Sequence, residues 1–316
     1  MKSLLLPFLF AALKLSAWAD STLAGLPGVP ASPSLQKLVD QAAATAFSKY
    51  LTNGLKTNEL AVTLVDLTDP AQPAVASYRG GEAIYPASVV KLFYLVAVHR
   101  WLEDGRLSDT PELRRAMRDM IVESYNEATH YVLDCLSGTT SGPELSAAEL
   151  SVWQEKRNVV NRYFSGLGYA GINANKKPWC EGPYGREVQA IRTFSPNRNL
   201  LTTDATARLL TEIMTGKAVS APRCLEMRAL LARDIFGPVK DVEDQTHGFT
   251  GIALKEQPET KVWSKAGWTS DTRHDAAYVE LADGRKFVLV TFTVNHANER
   301  EIIPTVARTV TGGLRK

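Results

Sequence analysis

Residues 85–98 read Tyr-Pro-Ala-Ser-Val-Val-Lys-Leu-Phe-Tyr-Leu-Val-Ala-Val, an apolar run broken by a single cation. A helix that is apolar on every side must be buried, so the rest of the chain has to enclose this one. Pro86 fits its start, where a missing N–H costs nothing. Gly105, after Glu103-Asp104, fits its C-terminal cap. The spacing places Ser88 in the first turn, where free backbone N–H groups and the helix dipole favour developing negative charge. Lys91 lies three residues on and shares its face. A lysine buried as a cation is costly. Activating a nucleophile is one reason to keep it there.

The chain has 316 residues, 45% of them hydrophobic, enough for one large core or two smaller domains. Its net charge of +2 comes with no block of lysine and arginine, which argues against a nucleic-acid partner. Lys2, the apolar run Leu4 to Leu13 and the small residues of Ala17-Trp18-Ala19 read as an export signal over residues 1–19. That run is too short to span a bilayer; an uncleaved anchor is the alternative. The expectation is a periplasmic or secreted monomer without stable membrane insertion. Cys135, Cys180 and Cys224 allow one bridge and leave one thiol, at spacings that match no zinc motif. Histidines 99, 130, 247, 274 and 296 are scattered, so no metal is expected.

Residues 20–33, rich in Gly, Pro and Ser, read as a flexible lead-in to one domain over residues 34–316. Leu35, Leu38, Val39, Ala42, Ala46, Phe47 and Tyr50 repeat with helical spacing, and Asn53-Gly54 closes that helix. Leu60 to Asp66 and Ala74 to Tyr78 read as strands. Helical patterns follow at Leu113 to Val122, Ala128 to Leu136 and Glu144 to Phe164, and Thr202-Thr203-Asp204 opens another helix. Gly168 to Asn199 has little periodicity, and a loop that long is usually functional or disordered. Strands return at Lys261 to Trp268, Ala276 to Leu281 and Lys286 to Val294, with a hairpin turn at Asp283-Gly284. A last helix covers Arg300 to Val310. The expected class is α/β of the α+β kind: an antiparallel sheet flanked by terminal helices, with an all-helical lobe inserted over about residues 85–235.

Three short motifs bear on chemistry. Ser88-x-x-Lys91 taken alone is a capping serine with a snorkelling lysine. Ser124-Tyr125-Asn126 at a junction between helices is by itself a turn. Lys265-Ala266-Gly267 on a strand reads equally as an edge lysine guarding against aggregation. In this order and placement, however, the three resemble the serine penicillin-recognising enzymes, in particular the class A β-lactamase group with its Ser-x-x-Lys, Ser-Asp-Asn and Lys-Thr-Gly motifs. The resemblance runs from Leu35 to Val310 and takes in the connecting segments at 102–107 and at Thr202-Thr203.

The resemblance implies a serine hydrolase that opens β-lactam amides through an acyl-enzyme on Ser88, with a small-molecule substrate and no cofactor. Lys91 would help take the serine proton, its pKa lowered by burial and by Lys265. Ser124 would relay a proton towards the leaving nitrogen. Asn126 would hold Lys91 and the substrate amide, and Lys265 would attract the substrate carboxylate. Gly267 and Trp268 complete the substrate-binding set, with the N–H groups of Ser88 and Trp268 as the oxyanion hole.

Several positions depart from the family pattern. Tyr125 replaces the middle aspartate, and Ala266 replaces a hydroxyl that usually meets the substrate carboxylate. Arg273 or His274 could supply a substitute cation, or be solvated hairpin residues. For the deacylating base, Glu187 stands at a suitable distance before Thr202-Thr203, but Ile191 occupies the place where asparagine is expected. Glu181 is a second candidate, and a surface glutamate is the bland reading of Glu187. Two other functions stay open at this point: a D-alanyl-D-alanine peptidase or related amide or ester hydrolase, and a catalytically silent cell-envelope binding module.

Overall fold

Alternating burial sets the sheet. β1 (Leu60–Asp66) turns Leu60, Val62 and Leu64 into one core and Ala61 and Val65 into another, on its opposite face. β5 (Thr272–Glu280) and β6 (Lys286–Val294) divide their side chains in the same way. Both faces are covered, so these strands are buried almost throughout instead of alternating with polar residues. The computed structural model describes residues 26–179, 182–194, 197–239 and 241–314. The segment expected to be an export signal, Cys180 and Glu181 lie outside the described residues.

With β2 (Ala74–Tyr78), β3 (Ala232–Arg233) and β4 (Lys261–Trp268), the sheet runs β2-β1-β6-β5-β4-β3 and is antiparallel throughout. α1 (Pro33–Lys49) and α11 (Ile302–Gly313) pack on one face of it. The other face meets the helical lobe: α2 (Lys91–Glu103), α3 (Pro111–Arg118), α4 (Asn126–Ser137), α5 (Ala147–Arg157), α6 (Val159–Gly166), α7 (Arg186–Thr193), α8 (Thr203–Met214) and α9 (Ala221–Leu231). α10 (Thr250–Leu254) precedes β4. α2 is the central helix the apolar run demanded. Every residue from Lys91 to Leu102 is buried except Arg100, and Phe93 packs edge-on against Phe164 at 4.8 Å.

The structure differs from the expected elements in ways that matter for the site. Ser88 is not in the first α-turn; a 3-10 turn, Ala87–Val90, comes first and α2 starts at Lys91. The helix expected to Val122 gives way after Arg118 to a π-turn, Asp119–Glu123. The helix expected over 144–164 is two helices joined at Asn158, whose side-chain oxygen accepts from Asn161 and Asn175 instead of facing solvent. The long aperiodic stretch contains α7. The lead-in is docked from Leu26 onward: Leu26 is buried in the core, and Pro30 and Ser32 pair with the backbone of Val75 on β2. Gly and Pro there mark an edge contact, not a linker. Cys135 and Cys224 are both free, so no bridge joins them.

Candidate active site

Ser88 projects from a strained turn. Ala87, just before it, has a φ of 45°, in the left-handed region that a non-glycine residue enters only when its surroundings hold it there. β4 supplies part of that hold. A Cβ on Gly267 would lie 2.7 Å from the Pro86 oxygen and the Ser88 nitrogen and 2.8 Å from the Val89 nitrogen, so only glycine lets the strand come this close. Opposite Gly267 in the β4–β5 ladder, His274 reaches the same turn, with Nε2 2.9 Å from the Tyr85 oxygen. Its Nδ1 accepts from the Thr293 N–H at 3.1 Å, which leaves the ring proton on Nε2.

This histidine has a measurable consequence. Complete burial pushes its pKa down to about 4, against the smaller opposing effect of its backbone partners. In the unfolded chain the ring takes a proton near pH 6.5. Between those values the unfolded state binds the extra proton, so the stability that neutral His274 confers is present at pH 7 and is lost as the pH falls from 6.5 towards 4. Urea unfolding of wild type and His274→Gln at pH 7 and pH 5 reads this directly. The stability gap between the two proteins narrows by about 2 kcal/mol at the lower pH; a constant gap removes His274 from the acid response.

The helical lobe brings the second motif to the same place. The π-turn ends at Ser124, itself in the left-handed region with a φ of 59°, and Asn126 opens α4. Lys91 is fully buried; its Nζ donates to the Ser124 carbonyl at 2.6 Å and to Asn126 Oδ1 at 2.8 Å, and lies 3.3 Å from Ser124 Oγ. Lys265, also fully buried, donates from β4 to Ser124 Oγ at 2.9 Å, to Gln245 Oε1 at 2.9 Å and to the Ala266 oxygen at 2.7 Å. One hydroxyl therefore sits between two amines. Burial first, then the charges of Lys91 and Arg233, push the Lys265 amine well below the ordinary lysine value. The structure thus brings Ser88, Lys91, Ser124, Asn126, Lys265 and Gly267 together, with Trp268 next along the strand and 40% exposed.

Gln245 was not visible in the sequence. Its Nε2 donates to the carbonyls of Ile121 and Val122 in the π-turn while Oε1 receives Lys265, so it ties the second motif to the third. It lies in an aperiodic loop, and nothing in a single sequence marks a glutamine in such a loop. Arg233 is a second hidden tie, donating to the Ile121 and Ser264 oxygens; burial pushes its pKa down to about 10.

Other candidates fall elsewhere. Arg273 and His274 are not solvated hairpin residues: both are buried, and Arg273 is held by Glu243 and the Gly248 oxygen. Glu187 is not a surface residue either. It is 1% exposed, and its Oε1 accepts from Arg157 at 2.8 Å and Ser141 at 3.0 Å, with Lys177 at 3.8 Å. Those partners, rather than Ser88 or Lys91, are its contacts. Ile191, on the same helix, is 39% exposed.

The sequence profile of the β-lactamase enzyme family matches residues 42–313. The chain belongs to the β-lactamase enzyme family. A β-lactamase from Sphaerobacter thermophilus DSM 20745 shares the fold at a TM-score of 0.62 and 19% identity, over 89% of this chain and 99% of that one. PBP-A matches at 0.60 and 17%, over 90% and 98%. A mutant of PBP-A seen as an acyl-enzyme complex with penicillin-G matches at 0.62 and 16%, over 90% and 98%. A search of curated proteins finds no match. As a member of this family the chain is a serine hydrolase.

Proposed function

We propose that this β-lactamase-family protein opens β-lactam amides through an acyl-enzyme on Ser88. The observation that carries the reading is Ser124 Oγ lying within hydrogen-bonding distance of both Lys91 Nζ and Lys265 Nζ. Lys91 in its amine form takes the Ser88 proton as Oγ attacks the carbonyl carbon. The backbone N–H groups of Ser88 and Trp268 receive the developing oxyanion, each worth about 3–4 kcal/mol of barrier. As the C–N bond breaks, Ser124 gives its proton to the leaving nitrogen and is refilled from Lys91. Water then hydrolyses the ester and restores Ser88. Export to the periplasm or beyond belongs to the proposal and rests on residues 1–19 alone.

Incubating the protein with benzylpenicillin while following intact mass and ring opening tests this. The expected result is an adduct of the whole drug mass that is absent in Ser88→Ala; labelling that survives this substitution refutes the nucleophile. One observation favours a second reading, a slowly deacylating peptidase-like enzyme. Of the two glutamates considered as the hydrolytic base, Glu187 has its Oε1 engaged by Arg157 and Ser141, with Lys177 at 3.8 Å, while its Oε2 is buried without a hydrogen-bond partner among the described residues. A persistent adduct marks that reading, and a transient adduct with turnover marks the β-lactamase.

A further inference from the structure

Gln245 reaches the site from a loop that carries none of the three motifs. It is 6% exposed, and the two ends of its amide are not interchangeable. Nε2 lies 2.7 Å from the Ile121 oxygen and 2.6 Å from the Val122 oxygen. A carbonyl only accepts, so the amide nitrogen has to stand there. Oε1 is thereby aimed at Lys265 Nζ, 2.9 Å away. A flipped amide would set its oxygen against two carbonyls and its nitrogen against an amine. The loop that presents this side chain is itself braced: Asp244 Oδ1 accepts from the Thr246 and His247 N–H groups at 2.8 and 2.7 Å.

Both ends bear on Ser124. The two carbonyls belong to the π-turn that delivers it, and Ser124 holds a φ of 59°, a conformation that persists only when its surroundings fix it. At the other end, Lys265 Nζ has three neighbours: Gln245 Oε1, the Ala266 oxygen and Ser124 Oγ. The first two can only accept, so each takes an N–H. The last position on the nitrogen is left facing Ser124 Oγ. An ammonium there donates to the serine oxygen, which turns the serine's own hydrogen away from Lys265. It then points towards Lys91, 3.3 Å from the same oxygen, and towards a leaving nitrogen. Without Oε1, the amine loses one of the two acceptors that fix its rotation.

We propose that Gln245 is a positioning residue for the proton relay: through one amide it fixes both the backbone that carries the Ser124 hydroxyl and the amine that sets the direction of its hydrogen. This role rests on the acyl-enzyme reading above. Gln245 acts through Ser124 and not on the substrate, so removing it matters only while Ser124 has a proton to deliver.

A double-mutant cycle tests this. Acylation by benzylpenicillin is followed by intact mass in the wild type, Gln245→Met, Ser124→Ala and the double variant, with urea midpoints to establish that each is folded. Methionine keeps the length of the side chain without the amide. Gln245→Met is expected to slow adduct formation by about 10–100-fold, the scale of a misplaced reacting group. Added to Ser124→Ala, it is expected to slow it no further. A merely structural role costs the same factor in both backgrounds. That result, or a wild-type rate in Gln245→Met, overturns the inference and leaves the nucleophile in place. Should the Met variant fail to fold, Gln245→Glu keeps the acceptor for Lys265 and withdraws the donor from the two carbonyls, and the same cycle is run with it. Loss of the adduct in Ser88→Ala keeps the underlying reading intact. An adduct that persists in that variant, or none in the wild type, brings down the reading and the inference together.

Discussion

Lys91→Met slows acylation of Ser88 by about 10²–10⁴-fold and leaves the protein folded, the range expected when a positioned proton acceptor is removed. The argument starts from burial. Lys91 has no exposed surface and opens a helix whose other buried residues, His99 and the Tyr94 hydroxyl apart, are apolar. Replacing a buried charge by an apolar side chain of similar length is often neutral for stability or better. Against that, the Ser124 carbonyl and Asn126 Oδ1 lose a donor, a loss of about 1–3 kcal/mol where nothing replaces it. The two effects oppose, so the urea midpoint should move little while the rate of adduct formation collapses. Ser124 Oγ keeps its contact with Lys265 in the variant, which isolates the contribution of Lys91. A variant that acylates at the wild-type rate would take Lys91 out of the proton path, whatever its stability.

The positions of these residues were legible in the sequence to different degrees, for physical reasons. Ser88 and Lys91 could be read because an all-apolar helix leaves one polar face to explain, and the strands because their alternation or continuous burial follows from a covered sheet. The Asp283-Gly284 turn was legible because glycine takes the left-handed conformation, here a φ of 95°, without a steric cost. The 3-10 turn at Ser88 and the π-turn at 119–123 were not. Both are local departures from α-geometry imposed by tertiary contacts, β4 against the Ser88 turn and Gln245 with Arg233 against the π-turn carbonyls. No periodicity carries that information. The same holds for Lys176 and Lys177, which look like a solvated pair and are both buried. Burial pushes the pKa of Lys176 down to about 8.

That pair belongs to the setting of Glu187, where the second large effect is expected. Glu187→Gln lowers stability by about 3–5 kcal/mol, the cost of leaving a buried cation without its partner. Arg157 has no exposed surface, and Lys176 and Lys177 are buried beside it. Among the groups named here, only Glu187 and Asp134 offset their charge; Asp134 lies 2.7 Å from Lys177 and 3.4 Å from Arg157. The amide of Gln keeps the shape and one acceptor but not the charge. A double substitution, Arg157→Met with Glu187→Leu, removes both charges, and it should recover part of what Glu187→Gln loses, because two apolar groups need no compensation. Urea unfolding of the three proteins gives the comparison. The same variants decide what Glu187 does in hydrolysis. If its carboxylate serves as an anchor, Glu187→Gln that is still folded releases the penicilloyl adduct at the wild-type rate, while Glu181→Gln prolongs it. A Glu187→Gln protein with an unmoved urea midpoint and a trapped adduct would instead make Glu187 the hydrolytic base and its ion pair with Arg157 incidental.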